Sequence, residues 1–186
     1  MSTVLVFVGI FLCLCLSNFC SASEMAFSSC NVMRLENARD DGSKRAKIAV
    51  YITEHFDDAL SAILIGNNIV NISASSLATI LVTRAFGDMY VGVGTGILTL
   101  LVLIFGEIPP KTSATLYSET MALRFAKPIY MIMQVLTPVI FIVDKLSQGV
   151  LRLLHVDPNK KQDAITEDEL RTIVEVSHEE GVIESD

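Results

Sequence analysis

Residues 60–82 run for 23 positions without one ionisable side chain. At 1.5 Å per residue a helix of that length covers about 34 Å, enough for the roughly 30 Å hydrocarbon core of a bilayer. Two more stretches share this character: residues 4–27 carry one charge, Glu24, and residues 89–108 carry one, Glu107. Three such runs in 186 residues leave a membrane-embedded, all-α chain as the fold class. A fourth run, 128–143, has 16 residues, about 24 Å, contains Gln134 and Pro138, and is followed by Asp144 and Lys145. It reads as part of a belt of interfacial helices over 112–156, with an apolar stripe of Leu146, Val150, Leu153 and Leu154. A short fourth span kinked at Pro138 is the alternative.

Charge separates the chain in two. Residues 163–186 hold nine acids and one arginine, a net of −8, so residues 1–162 stand at +1. An oily, near-neutral body excludes a nucleic-acid binder, which needs a basic surface, and excludes a disordered chain. Basic residues cluster between the first two runs (Arg34, Arg39, Lys44, Arg45, Lys47) and follow the third (Lys111, Arg124, Lys127), while the second link has only Arg84. The positive-inside rule then sets the N-terminus outside and the C-terminal segment in the cytoplasm. Residues 31–58 read as a cytoplasmic helical hairpin broken at Asp40-Asp41-Gly42. Residues 157–165 read as a polar linker, and Thr166 with Glu169 opens an acidic helix through a capping box. Ser21-Ala22-Ser23 also resembles a leader cleavage site, but the basic residues of a leader are missing. Cys13, Cys15, Cys20 and Cys30 lie in or beside the first run with no metal-ligand spacing.

Polar residues inside a span are costly, so each is a candidate functional group. They form three clusters: Ser21, Ser23 and Glu24; Gly66, Asn67, Asn68 and Asn71, continued by Ser75; and Glu107 with Pro109, Pro110 and Lys111. Counted from the ends of their helices, all three reach a similar depth in the inner half of the membrane. Asn67 and Asn71 are four apart and share a helix face. Pro109 and Pro110 lack N–H groups, which deprives carbonyls in the preceding turn of helical partners. Hydroxyls, amide oxygens, a freed carbonyl and one carboxylate make a hard-oxygen set, suited to Mg²⁺ or Na⁺. Each cluster also has a plainer reading: Asn68 and Ser75 as interhelical glue, Glu107 paired with Lys111 across the kink, Glu24 as an interhelical acceptor.

The strings Ser-Ala-Ser-Glu-Met-Ala-Phe (21–27), Ile-Gly-Asn-Asn-Ile-Val-Asn (65–71) and Phe-Gly-Glu-Ile-Pro-Pro-Lys (105–111) resemble the signature motifs of the cyclin M/CorC magnesium transporters. The resemblance implies a homodimer in the plasma or inner membrane, three spans with a juxtamembrane belt, and Mg²⁺ export coupled to Na⁺ by alternating access, with no enzymatic activity. It implies Ser23, Asn67, Asn71 and Glu107 as side-chain ligands of a dehydrated Mg²⁺, with the Gly66 carbonyl beside them. Ser21, Glu24, Asn68 and Ser75 become outer-sphere or Na⁺ groups, and Pro109-Pro110 the kink. Members of the family usually continue into paired CBS domains that bind ATP. A chain stopping at Asp186 is expected to be a truncated piece without ATP binding. A membrane anchor or sensor that regulates another Mg²⁺ channel without conducting ions is the competing expectation.

Overall fold

The computed structural model describes residues 3–154, so the linker and acidic helix expected beyond residue 156 lie outside the described residues. Every regular element among the described residues is helical: α1 (Thr3–Ser29), α2 (Val32–Asp40), α3 (Lys44–Glu54), α4 (Phe56–Phe86), α5 (Val91–Leu101), α6 (Ile108–Leu116) and α7 (Ser118–Leu153). A 3₁₀ turn (Asp88–Tyr90) precedes α5, and a π-helical segment (Val102–Glu107) joins α5 to α6.

Local chemistry sets the breaks. Asn31 caps α2 by accepting from the Arg34 N–H, and Ser43 caps α3 by accepting from the Ala46 N–H. Gly42 and Gly87, with φ of 91° and 90°, take the left-handed turns after α2 and α4 that other residues rarely adopt. The chain divides into two units, Met1–Ile140 and Phe141–Asp186. Of the second, only residues 141–154 are described, where Lys145 Nζ lies 5.6 Å over the Phe141 ring.

The core of the first unit is built largely from alanine: Ala22 and Ala26 on α1, Ala49 on α3, Ala59 and Ala62 on α4, Ala122 and Ala126 on α7. Small side chains let helix backbones approach closely where lipid supplies no hydrophobic drive for association. Large apolar side chains instead face outward, among them Phe7, Phe11 and Leu12 on α1 and Val93, Ile97 and Leu100 on α5. A soluble monomer rarely exposes so continuous an apolar surface, whereas a bilayer requires one.

Four helical stretches are long and apolar enough to cross a membrane: Thr3–Ser29, Phe56–Phe86, Asp88–Leu116 and Ser118–Leu151. The expected count of three is corrected to four by length and composition. The reason is α7, which is one continuous helix despite containing Pro128 and Pro138. It buries Ala122, Ala126, Ile129, Met133 and Ile140 at successive spacings of four, three, four and seven, the stripe of a helix with one packed face.

Contacts fix the directions of the helices. Gly9 lies against Leu77 and Ser17 against Asn67, so α1 and α4 run antiparallel. Ser17 meets Gly106, Asn18 meets Phe105 and Glu24 meets Lys111, so the third stretch runs parallel to α1.

Candidate cation site

The middle of α1 is where the polar groups meet. Ser17, fully buried, donates its hydroxyl to Asn67 Oδ1 at 3.0 Å, tying α1 to α4. The same hydroxyl sits against Gly106: a Cβ there would lie 3.2 Å from Ser17 Oγ. One residue on, Asn18 Nδ2 donates to the Phe105 carbonyl at 2.9 Å. That carbonyl would ordinarily accept from the N–H four residues later, and residue 109 is proline. Asn18 thus supplies the donor that Pro109 lacks. The helix break arises upstream of the two prolines as a π-helical segment, with the Ile108 N–H reaching back to the Leu103 carbonyl.

Two buried oxygens flank this junction. Asn71 Oδ1 and Ser21 Oγ have no hydrogen-bond partner among the described residues. Asn71 is one turn beyond Asn67 on α4, and Ser21 one turn beyond Ser17 on α1. Because the two helices are antiparallel, the orphans lie on opposite sides of the Ser17–Asn67 link. Glu107, half-buried, marks the end of the π-helical segment next to Gly106. Asn67, Asn71, Gly66 and Ser75 are partly buried, whereas Asn68 is exposed on α4. Thr79 Oγ1 donates to the Ser75 carbonyl at 3.0 Å, within α4.

The structure separates the two motif serines. At 100° per residue, Ser21 and Glu24 fall within about 40° of Ser17 around α1, whereas Ser23 falls about 120° away. Ser23 follows Phe19 by one turn and donates to its carbonyl at 2.7 Å, and the Phe19 ring packs edge-on against Phe125 of α7 at 5.0 Å. Ser23 therefore stands towards α7, and Ser21 towards Asn67 and the π-helical segment.

Lys111 does not pair with Glu107. Its Nζ lies 3.1 Å from Glu24 Oε2, an ion pair joining α6 to α1. The i, i+4 rule fails for Glu107 and Lys111 because Glu107 has left helical geometry, with φ −124° and ψ −61°. Pro109 is exposed and Pro110 buried in the first turn of α6. No group of three His, Cys, Asp or Glu side chains gathers among the described residues. The junction is accordingly an oxygen site of amides, hydroxyls, backbone and a single carboxylate.

Ser17 and Asn18 are the groups that sequence reasoning missed. Their signal was there: Ser17 stands one turn before Ser21, and Asn18 is an amide inside an apolar run.

The fold and this cluster define an integral membrane protein whose closely packed helices carry polar groups at one level within the span. The chain belongs to the cyclin M family: the model of the "Cyclin M transmembrane N-terminal domain" matches residues 8–186. It is 34% identical over 168 residues to a UPF0053 protein of Haemophilus influenzae, covering 90% of this chain and 40% of that protein. To the UPF0053 inner membrane protein YfjD of Escherichia coli it is 33% identical over 163 residues, covering 87% of this chain and 38% of that protein. A chloroplastic DUF21 domain-containing protein of Arabidopsis thaliana is 34% identical over 127 residues, 68% of this chain and 19% of the relative. The chain thus spans about two fifths of the length of the two bacterial relatives.

Proposed function

We propose that this membrane domain transports Mg²⁺, and that the ion passes between α1, α4 and the π-helical segment. The observation that carries the proposal is the pair of buried oxygens without hydrogen-bond partners, the Ser21 hydroxyl and Asn71 Oδ1, on either side of a helix break that holds one carboxylate. Lone pairs left over at a membrane helix junction suit a hard cation, and broken backbone in a span is tolerated where it lines a path or is buried in protein. Asn67, Asn71, Glu107 and the Gly66 carbonyl are the ligands that this arrangement favours, with Ser21, about two turns from Asn71 along the span, as a further oxygen on the ion's path. Ser23 is retained as a ligand on motif resemblance alone. One carboxylate against a divalent ion leaves a positive site, which favours release over permanent binding.

Family likeness supports the finer parts: a homodimer, and export driven by Na⁺ entering by alternating access. The basic residues of α2 and α3 favour a cytoplasmic hairpin and an outside N-terminus by the positive-inside rule. Arg34 on α2 holds Glu119 on α7 at 3.3 Å, which keeps the start of α7 on the same side. From there α7, which is long and apolar enough to cross the membrane, would return the chain to the outer side unless it lies along the membrane and leaves the C-terminus cytoplasmic.

Mg²⁺ flux into proteoliposomes tests the assignment. Asn71→Ala and Glu107→Gln should each lower flux at least tenfold while the folded protein survives, and flux should follow an opposing Na⁺ gradient. Parental flux in both variants would overturn the site. No flux from the pure parent chain would favour the non-conducting sensor.

A further inference from the structure

On the side of α1 and α4 away from Glu107 lies an apolar groove of about 650 Å³, walled by Leu16 and Cys20 of α1, Gly66 and Val70 of α4, and Met131 and Val135 of α7. We infer that it holds an acyl chain of an anionic phospholipid whose headgroup is bound by Arg124 and Lys127. The volume falls in the range of small-molecule sites, and the groove opens among helices whose outer faces are apolar. Its lining is almost wholly carbon, which suits a hydrocarbon chain and gives a polar ligand nothing to bond.

The charge at its end identifies the headgroup. On α7, Arg124, Pro128, Met131 and Val135 follow at spacings of four, three and four, so they form one stripe, with Lys127 beside it. Arg124 and Lys127 are exposed, and neither forms an ion pair with a carboxylate among the described residues. Helical side chains lean towards the helix N-terminus, here towards the basic α2–α3 hairpin that α7 touches through Arg34–Glu119 and through Tyr51–Tyr130. Both cationic heads thus lean away from the groove towards the membrane surface, where phosphate lies, while the groove takes the chain. A bound chain would touch the backbone at Gly66, next to Asn67, and so reach the cation junction from behind. The lipid site stands independently of the ion that is transported.

The chain has no tryptophan, so Met131→Trp places a single fluorophore at the groove. In vesicles, chain-dibrominated phosphatidylglycerol should quench it at a mole fraction at least fivefold lower than dibrominated phosphatidylcholine, since one basic residue near a headgroup is worth about that factor. Arg124→Gln with Lys127→Gln should abolish the difference. Leu100→Trp, on the outward face of α5, should show none. Val135→Trp provides the same measurement should Met131→Trp fail to fold. Equal quenching by both lipids at the groove, or a preference that survives the double substitution, would overturn the site. Protection from both lipids would show that protein covers the groove, and would overturn it equally.

Discussion

Gly106→Ala probes the closest point of the junction. The added methyl would lie 3.2 Å from Ser17 Oγ and 3.4 Å from Ser17 Cβ. Ser17 cannot turn away without losing its 3.0 Å hydrogen bond to Asn67, so the crowding has no cheap outlet. Overpacking of this kind costs about 1–3 kcal/mol. Alanine recovers about 0.5–1 kcal/mol of helix propensity over glycine, which leaves a net loss of about 0–2.5 kcal/mol. Ser17→Ala alone should cost about 0.6–2 kcal/mol, the range for an interhelical hydrogen bond in a membrane. Combined, the two should not add. Without the hydroxyl only the 3.4 Å carbon contact remains, so Gly106→Ala becomes neutral or slightly stabilising in the Ser17→Ala background. The expected coupling is about 1–2 kcal/mol. Reversible unfolding of the four proteins in mixed micelles, followed by far-UV circular dichroism, measures it. A cost for Gly106→Ala that agrees within about 0.5 kcal/mol between the two backgrounds would refute the packing argument.

Asn18→Leu removes the donor to the Phe105 carbonyl and should destabilise by about 1 kcal/mol, read in the same unfolding assay, with Asn18→Gln recovering part of the loss. Glu24→Gln and Lys111→Met should each destabilise the fold, and the double variant should cost less than their sum, because removing both charges leaves no half-buried ion alone. Additive losses would mean that the pair contributes nothing. Burial pushes the Cys30 thiol up, an effect that a hydrogen bond from its own backbone N–H opposes and the Glu119 charge reinforces. Its alkylation at neutral pH should be slower than that of an unhindered thiol, and should still be rising with pH where such a thiol, near pKa 8.5, has levelled off. In a cysteine-free background, impermeant maleimide should label Asp41→Cys and Lys145→Cys from the same side if α7 lies along the membrane, and from opposite sides if it crosses.

The spans were legible because hydropathy is a local property: each residue contributes wherever the helix goes. The length of α7 was not, because counting apolar residues ends a span at Asp144 and Lys145, whereas helical hydrogen bonding continues through exposed charges. The buried series Ala122, Ala126, Ile129, Met133 was the signal for one long helix, but it is written in small and mixed side chains. At the junction, the similar depths of Asn67 and Glu107 followed from residue counts. Their link through Ser17 did not, since pairing between helices depends on which faces meet. The same limit misdirected Lys111. Sequence spacing offered it Glu107 four residues away, but the π-helical segment moved that carboxylate out of register and left Glu24 as the partner.

The balance of donors and acceptors is what favours the proposed ion site over interhelical glue. An interhelical polar pair that serves only as glue should end with its hydrogen bonds made, because each unsatisfied buried group costs about 1–3 kcal/mol. Ser17 and Asn67 satisfy that description, and so do Asn18 and the Phe105 carbonyl. Asn71 Oδ1 and Ser21 Oγ do not. An alanine at either position would keep the helix and remove the cost, so their presence needs a gain elsewhere. Asn71 presents a carbonyl oxygen, which can only accept, and the nearest ionisable group along the broken backbone, Glu107, is an acceptor too when charged. A surplus of acceptors calls for a species that brings positive charge without needing lone pairs of its own. Lys111 brings such a charge but gives it to Glu24. Under the proposed function a mobile cation fits what is left, and it would account for a helix break, a lone carboxylate and orphan oxygens along one stretch of the span.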